Sequence, residues 1–329
     1  MKQRILITGV TGFTGGYLAE QMIQKGYQVV GLSLPGIDTT TLEKKGVEII
    51  RGDLTEKASL VSAVQGVDKV YHIAAVYREE NIPRKMFWDV NVDGTRNLLE
   101  VSKDAGIKRF IHCSTVGVQG EIENPPATEE APYNPGDYYQ ISKMEGEILA
   151  LKFFKKEKLP GVVFRPVGIY GPGDTRFLKL FRFIHQSKFR MFGSGEVLYH
   201  LTYIDDLIDG ILLVGETPGI EGKIITIAGE RYTTLNEFVQ TVAEVLNVPL
   251  STKHYPVWPL WTAGAICELL FRPFPVNPPI YRRRVDFFIK DRAFDITKAK
   301  KLLGFNPKID IKTGLKRTAD WYKEQGLLE

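Results

Sequence analysis

The chain has 329 residues, of which 25% are charged and 43% hydrophobic, and its net charge is +4. This reads as a water-soluble globular protein of one or two domains, and it excludes a disordered or fibrous chain. Two cysteines, Cys113 and Cys267, cannot build a disulfide framework or a zinc site, and the five histidines show no ligand spacing, so no metal is expected. The basic clusters at 152–158 and 282–284 lie far apart in sequence and read as solvated faces rather than as a nucleic-acid or anionic-membrane patch, so no nucleic-acid partner is expected.

Strand-like apolar runs recur at residues 4–8, 27–33, 47–51, 69–73, 109–114, 162–165 and 223–228, with helix-like segments between most of them. That alternation predicts an α/β fold with a doubly wound parallel sheet. The first run, Arg4-Ile5-Leu6-Ile7-Thr8, passes directly into Gly9-Val10-Thr11-Gly12-Phe13-Thr14-Gly15-Gly16. Residues 17–25 follow with apolar positions at helical spacing, and Gly26 is the stop. Strand, glycine turn and helix make the first half of a dinucleotide-binding unit. Without side chains at Gly9, Gly12 and Gly15 the backbone turns tightly and approaches a pyrophosphate at the helix N-terminus. The chain enters this strand at once, so no signal peptide is expected and the expected location is cytoplasmic.

Farther along, Tyr139 and Lys143 stand four residues apart in Tyr139-Gln140-Ile141-Ser142-Lys143. On a helix they share a face. A phenol titrates near ~10, and a cation fixed close by lowers that value, giving a proton donor and acceptor usable near neutral pH. Tyr and Lys are common, so the pair draws its meaning from the glycine loop upstream.

After Arg165 prolines, glycines and aromatics become dense, and helices dominate from Thr234 onward. Thr234-Leu235-Asn236-Glu237 reads as a capping box opening a helix to about Leu246, and Asp295 caps a short helix that Gly304 stops. The expected division is a Rossmann domain over 1–165 and a smaller, mainly helical substrate domain over 166–329, with the strand near 223–228 returning to the main sheet. The most hydrophobic stretch, 257–271, is shorter than the ~20 apolar residues of a membrane span and carries Glu268. No transmembrane segment is expected. A buried helix or a wall of the substrate pocket is the expectation here, with interfacial membrane contact as the lesser alternative.

The G-x-x-G-x-x-G spacing, with Tyr139 and Lys143, resembles the extended short-chain dehydrogenase/reductases, which include nucleotide-sugar epimerases and 3β-hydroxysteroid dehydrogenase-like enzymes. The likeness runs through most of the chain. Gly52-Asp53-Leu54 looks like the family's adenine-side turn, His72-Ile73-Ala74-Ala75 like its strand end beside pyrophosphate and ribose, and Asn91-Val92-Asp93-Gly94-Thr95-Arg96-Asn97 like its N-V-x-G-T-x-N helix. Arg165-Pro166-Val167-Gly168-Ile169-Tyr170-Gly171, Tyr203-Ile204-Asp205-Asp206 and Phe294-Asp295-Ile296-Thr297-Lys298-Ala299 are later landmarks.

This resemblance implies an NAD(P)-dependent oxidoreductase with Thr115, Tyr139 and Lys143 as the catalytic set. Thr115 would orient the substrate oxygen, Tyr139 would transfer the hydroxyl proton, and Lys143 would bind the nicotinamide ribose and hold the Tyr139 pKa down. The cofactor would meet Gly9, Thr11, Gly12, Phe13, Thr14 and Gly15 at the loop, then Ser33, Asp53, Leu54, Ala74, Ala75, Asn91, Ser114, Pro166 and Gly168. The strand ending Val30-Gly31-Leu32-Ser33-Leu34 has neither the acid that marks NAD nor the Arg that marks NADP, Leu34 standing in its stead; Ser33, Thr39 or Lys44 could meet a phosphate, and the balance tips to NADP.

Substrate contacts are expected from Tyr77, Val116, Phe177, Tyr199 and His200. Val116-Gly117 stands where the family's dehydratases carry Asp-Glu, which removes water-elimination chemistry. Gly168 stands where nucleotide-sugar epimerases carry Asn, and Tyr199 where they carry a diphosphate-gripping Arg. Trp258, Trp261, Phe271, Phe274 and 278–282 resemble the apolar stretch of steroid-dehydrogenase-like relatives, so an apolar alcohol or ketone is favoured over a nucleotide sugar. Arg176, Arg190 and 282–284 remain as phosphate ligands for the alternative. A non-catalytic dinucleotide sensor is the minor alternative, disfavoured because the whole catalytic set is present. The family also implies a homodimer through the helix after Trp88 and the helix carrying Tyr139, offering Leu98, Val101, Ile141, Met144, Ile148 and Phe153.

Overall fold

Alternate side chains of a strand leave opposite faces of its sheet, and here both faces are apolar. Ile5, Ile7, Tyr71, Ile111, Val162 and Phe164 enter one buried cluster; Leu6, Val30, Val70, Phe110 and Val163 enter another. A sheet covered on both sides is what near-continuous apolar parallel strands require. The computed structural model describes residues 2–77, 82–271 and 282–328. Its strands β1 (Arg4–Thr8), β2 (Gln28–Ser33), β3 (Glu48–Arg51), β4 (Lys69–His72), β5 (Arg109–Cys113) and β6 (Gly161–Pro166) join a seventh, Ile224–Ile227, in one sheet. The order is seventh strand, β6, β5, β4, β1, β2, β3, all parallel.

Each strand falls within a residue or two of its expected run. The late strand does return to the sheet, with Ile225 opposite Phe164. Helix α1 (Phe13–Gln24) brings Leu18 and Met22 to the first face, joined by Leu207 and Ile211 of the helix Ile204–Glu216. On the second face the helices Thr95–Asp104 and Tyr138–Glu157 supply Leu98, Leu99, Ala150 and Phe154. Leu98 and Val101 are therefore core residues and not free for a partner chain, whereas Ile141, Met144, Ile148 and Phe153 are half-buried.

After β3 the chain crosses from the sheet edge to β4 on the other side of β1. The connections leaving β1 and β4 run in opposite directions, which opens a crevice beyond their carboxyl ends.

In the second half, Thr234 Oγ1 accepts the Glu237 amide at 3.1 Å, while the Glu237 carboxylate pairs with Arg231, so only half of the capping box forms. Asp295 accepts the Thr297 amide at 2.6 Å, and Gly304 ends that helix at φ +65°. The apolar stretch does form a helix, Trp258–Phe271, but the expected burial fails. Only Gly264 is buried, and Trp258, Leu269 and Leu270 are 70%, 69% and 61% exposed. The helix is apolar on every side, and the helix Arg282–Ile289 packed against it covers only part of its circumference. Phe274 and 278–281 lie outside the described residues.

Candidate active site

The glycine loop lies at the mouth of that crevice. Gly9 sits at φ +70°, and a β-carbon there would come within 2.8 Å of the Ala74 main chain. At Gly15 it would meet the Gly9 carbonyl at 2.1 Å. Packing demands both glycines. Gly12 is different, because its φ is an ordinary −85° and a β-carbon would approach only the Gly9 oxygen, at 3.3 Å. Helix α1 starts at Phe13 with no side-chain cap and no acid in its first turn, and its first helical bond runs from Gly16 N to Gly12 O at 2.8 Å. The amides of Phe13, Thr14 and Gly15 precede that bond, at the positive end of the helix dipole. A bare Cα beside such amides fits a pyrophosphate.

The end of β4 is wired to this loop. Thr95 donates its hydroxyl proton to Asn91 O (2.8 Å), so it accepts from His72 Nε2 at 2.9 Å. His72 Nδ1 then accepts from the Thr8 hydroxyl at 2.8 Å, and Thr8 Oγ1 accepts the Ala74 amide at 3.2 Å. Burial, with help from Lys143, pushes the His72 pKa down to about 3, so the ring stays neutral and keeps this one tautomer. Asn91 takes the Val76 amide at 2.8 Å and donates to Val76 O and to Ser142 Oγ at 3.1 and 2.9 Å. It clips the loop after β4 to the helix that carries Tyr139. Asn97 holds Leu54 O at 2.9 Å, and Gly94 leaves the space that Leu54 fills. Asp53 caps the same turn through Thr55 N at 2.8 Å.

That helix, Tyr138–Glu157, opens on Asp137, whose carboxylate accepts the Gln140 amide at 2.8 Å. Tyr139 lies in its first turn and Lys143 one turn later on the same face. Lys143 is buried and donates to Cys113 O at 2.6 Å, which bolts the helix to the end of β5. Burial lowers the Lys143 pKa below the usual lysine range, opposed by Cys113 and Glu147. Just beyond β5, Ser114 is buried with its hydroxyl unpartnered among the described residues, and Thr115 Oγ1 accepts the Gly117 amide at 3.1 Å. Tyr77 meets the Tyr139 ring edge-on, with centroids 4.9 Å apart. One turn past Lys143, Glu147 receives two hydrogen bonds from Arg165, at 2.9 and 2.6 Å, and a third from the Tyr133 hydroxyl at 2.7 Å. Both ions are buried, which is tolerable only because each is so fully bonded.

The remaining expected contacts divide. Thr11 belongs to the glycine loop, Ala75 to the loop after β4, and the buried Val116 follows Thr115. Pro166 ends β6, and a β-carbon at Gly168 would meet Leu201 at 2.8 Å, which accounts for glycine at that position. Phe177 packs edge-on against Phe238 at 5.7 Å. Tyr199 and His200 are buried and occupied elsewhere: the Tyr199 hydroxyl donates to Phe287 O at 2.7 Å, and the His200 ring lies 2.9 and 3.1 Å from the carbonyls of Gly229 and Phe294. Neither has a polar atom to spare for a substrate in this arrangement. Arg176 pairs with Asp174 at 2.6 Å below the rings of Phe13 and Tyr77, and Arg190 is held by main-chain carbonyls.

Two arginines went unread in the sequence. Arg51, at the end of β3, reaches Ser33 Oγ at 3.2 Å and Thr39 Oγ1 at 2.6 Å, so a guanidinium from the neighbouring strand stands beside the end of β2. Arg292 donates to the Tyr199 hydroxyl at 2.7 Å, bringing a guanidinium to the place where position 199 lacks one. No local sequence signal marked Arg51; it is the parallel register of β2 and β3 in the fold that sets Ser33 opposite Arg51.

A phenol, a buried ammonium and a hydroxyl at the end of β5, with an anion cradle at the end of β1 two strands away, define a nicotinamide-dependent oxidoreductase of the short-chain dehydrogenase/reductase type. The NAD dependent epimerase/dehydratase family profile matches residues 5–228, and the chain belongs to that family. It is 30% identical to the uncharacterized protein y4nL of Sinorhizobium fredii, covering 98% of this chain and 96% of that one. It is 28% identical to the sterol-4-alpha-carboxylate 3-dehydrogenase ERG26, decarboxylating, of Candida albicans, covering 98% of each. Among solved structures, gox2253 superposes with a TM-score of 0.85 at 26% identity over 100% of both chains. UDP-glucuronic acid 4-epimerase from Bacillus cereus, in complex with NAD, gives 0.77 at 26% identity over 98% of this chain and 99% of that one. The chain is thus an extended short-chain dehydrogenase/reductase with a nicotinamide cofactor.

Proposed function

We propose that the protein interconverts a secondary alcohol and a ketone on a largely apolar substrate, with NADP(H) as its cofactor. The observation that carries the reading is the Lys143–Cys113 bond, which fixes the helix bearing Tyr139 against the strand end bearing Thr115. Thr115 orients the substrate oxygen. Tyr139 holds and moves the proton at that oxygen, and Lys143 supplies the positive charge that favours the phenolate. The nicotinamide ring supplies the hydride chemistry when bound. Arg51 beside Ser33 and Thr39 supports NADP, since a guanidinium there favours an added phosphate. The Leu201-filled space at Gly168 and the sterol-carboxylate relatives support an apolar substrate, and Val116-Gly117 tells against water elimination.

The second reading is a nucleotide-sugar epimerase, and Arg292 beside Tyr199 favours it as a diphosphate ligand. We further propose that residues 1–165 hold the cofactor and that 166–329, apart from the returning strand, hold the substrate. Pairing into a homodimer through the half-buried Ile141, Met144, Ile148 and Phe153 completes the reading, and a one-chain mass by light scattering across micromolar concentrations would rule it out.

Tyr139→Phe keeps the ring's packing and removes the transferable proton. Turnover should fall by about 10²–10⁴ while dinucleotide affinity stays within a few-fold. Lys143→Ala should weaken dinucleotide binding as well. A Phe variant with near-normal turnover on an accepted substrate would sink this assignment.

A further inference from the structure

We propose that the helix Trp258–Phe271 docks the protein on the surface of an anionic lipid membrane, lying in the interface. The observations are independent of the substrate reading. Trp258, Trp261, Ile266, Leu269 and Leu270 are all exposed, on a helix with no polar face of its own. Its one acid is neutralised: Glu268 accepts the Arg282 amide at 2.7 Å and the Arg282 Nε at 2.8 Å, and that guanidinium lies over the Trp261 ring at 5.5 Å. Fourteen residues span about 21 Å, short of the ~30 Å hydrocarbon core, and among the described residues no helix is long and apolar enough to cross a membrane. Apolar faces of this kind, carrying tryptophans and flanked by cations, settle at the headgroup boundary.

The charge distribution selects the lipid. Residues 251–290 contain six Lys or Arg and two Asp or Glu, a net +4, which is the net charge of the entire chain. The rest of the sequence holds as many acids as bases. A segment of that net charge is complemented by anionic headgroups and not by a second copy of itself. The docking helix also connects to the catalytic half: beyond the helix Arg282–Ile289 packed on it, Asp291 O accepts the Ile122 amide at 3.2 Å, three residues past the turn that Thr115 caps.

Sedimentation of the intact protein with vesicles tests the proposal. It should pellet with phosphatidylcholine vesicles containing phosphatidylglycerol, less so in high salt, and with a blue shift of tryptophan emission that Trp258→Ala reduces. Leu269→Ser with Leu270→Ser, at exposed positions, should weaken vesicle binding about tenfold or more. Circular dichroism and dinucleotide affinity should stay unchanged in that double variant, which separates this test from the enzymatic reading. Failure to bind anionic vesicles, equal binding to pure phosphatidylcholine, or binding indifferent to the double variant would overturn it. So would a lipid-free dimer that the double variant dissociates, since the face would then join two copies.

Discussion

Replacing Arg51 by alanine should convert an NADP preference toward NAD. The guanidinium is held in place by Ser33 Oγ (3.2 Å), Thr39 Oγ1 (2.6 Å) and the carbonyls of Leu34 and Ile37 at 3.3 and 2.8 Å. It therefore stands at the end of β2 before any ligand arrives. A hydrogen bond to an ionised partner contributes about 1.5–3 kcal/mol. With the Arg51 side chain 41% exposed, solvent screening cuts this to about 1–2 kcal/mol. That is a loss of about 5- to 30-fold in NADPH affinity. Titration calorimetry with NADPH and NADH on both proteins gives the ratio of affinities, in which any general disturbance of the 34–39 loop cancels. Arg51→Lys should fall between, keeping the charge and losing the fork. Equal losses for both cofactors, or none for either, would refute the assignment of Arg51 to the phosphate.

Gly12→Val should abolish dinucleotide binding with little change in thermal stability, because φ −85° suits valine and only the Gly9 oxygen lies near the new β-carbon. Gly15→Ala should instead destabilise the fold, its β-carbon falling 2.1 Å from Gly9 O; unchanged calorimetric affinity in the first variant would undo the loop assignment. The buried His112 has both ring nitrogens unpartnered among the described residues, and desolvation, then Lys143 and His72, hold its pKa well below the usual range. A folded pKa depressed below the unfolded ~6.5 means that the unfolded chain binds the extra proton, so stability is fully present above that pH and falls as pH drops below it. His112→Leu should remove one proton from this linkage, flattening the acid limb by about 1.4 kcal/mol per pH unit in urea titrations, and equal slopes would contradict it.

The inner strands were legible because each must be apolar on both faces, which produces runs such as Ile5-Leu6-Ile7. The Tyr139–Lys143 spacing was legible because helical geometry is local. What escaped was set by pairing across distance. Arg51 acts at Ser33, eighteen residues earlier in the chain, and Arg292 at Tyr199, ninety-three away. His200 looked available as a polar residue, yet two carbonyls from separate segments hold its ring. The helix Trp258–Phe271 misled for a related reason: hydropathy says that a surface avoids water, not whether a neighbouring element covers it.

The returning strand has a consequence for the order in which the molecule is made. β6 is buried along its whole length, and its outer edge is closed by Ile224–Ile227, with Glu129 fastening the Thr226 amide at 2.7 Å. Roughly 60 residues separate the two strands, so at about 5–20 residues per second the ribosome leaves that edge open for some 3–12 s. An uncapped parallel edge backed by Val162, Val163 and Phe164 is the part of the nascent chain most exposed to pairing with a neighbour. The border proposed near residue 165 is therefore not a border in folding: the first half becomes a finished sheet only when part of the second has emerged to close it.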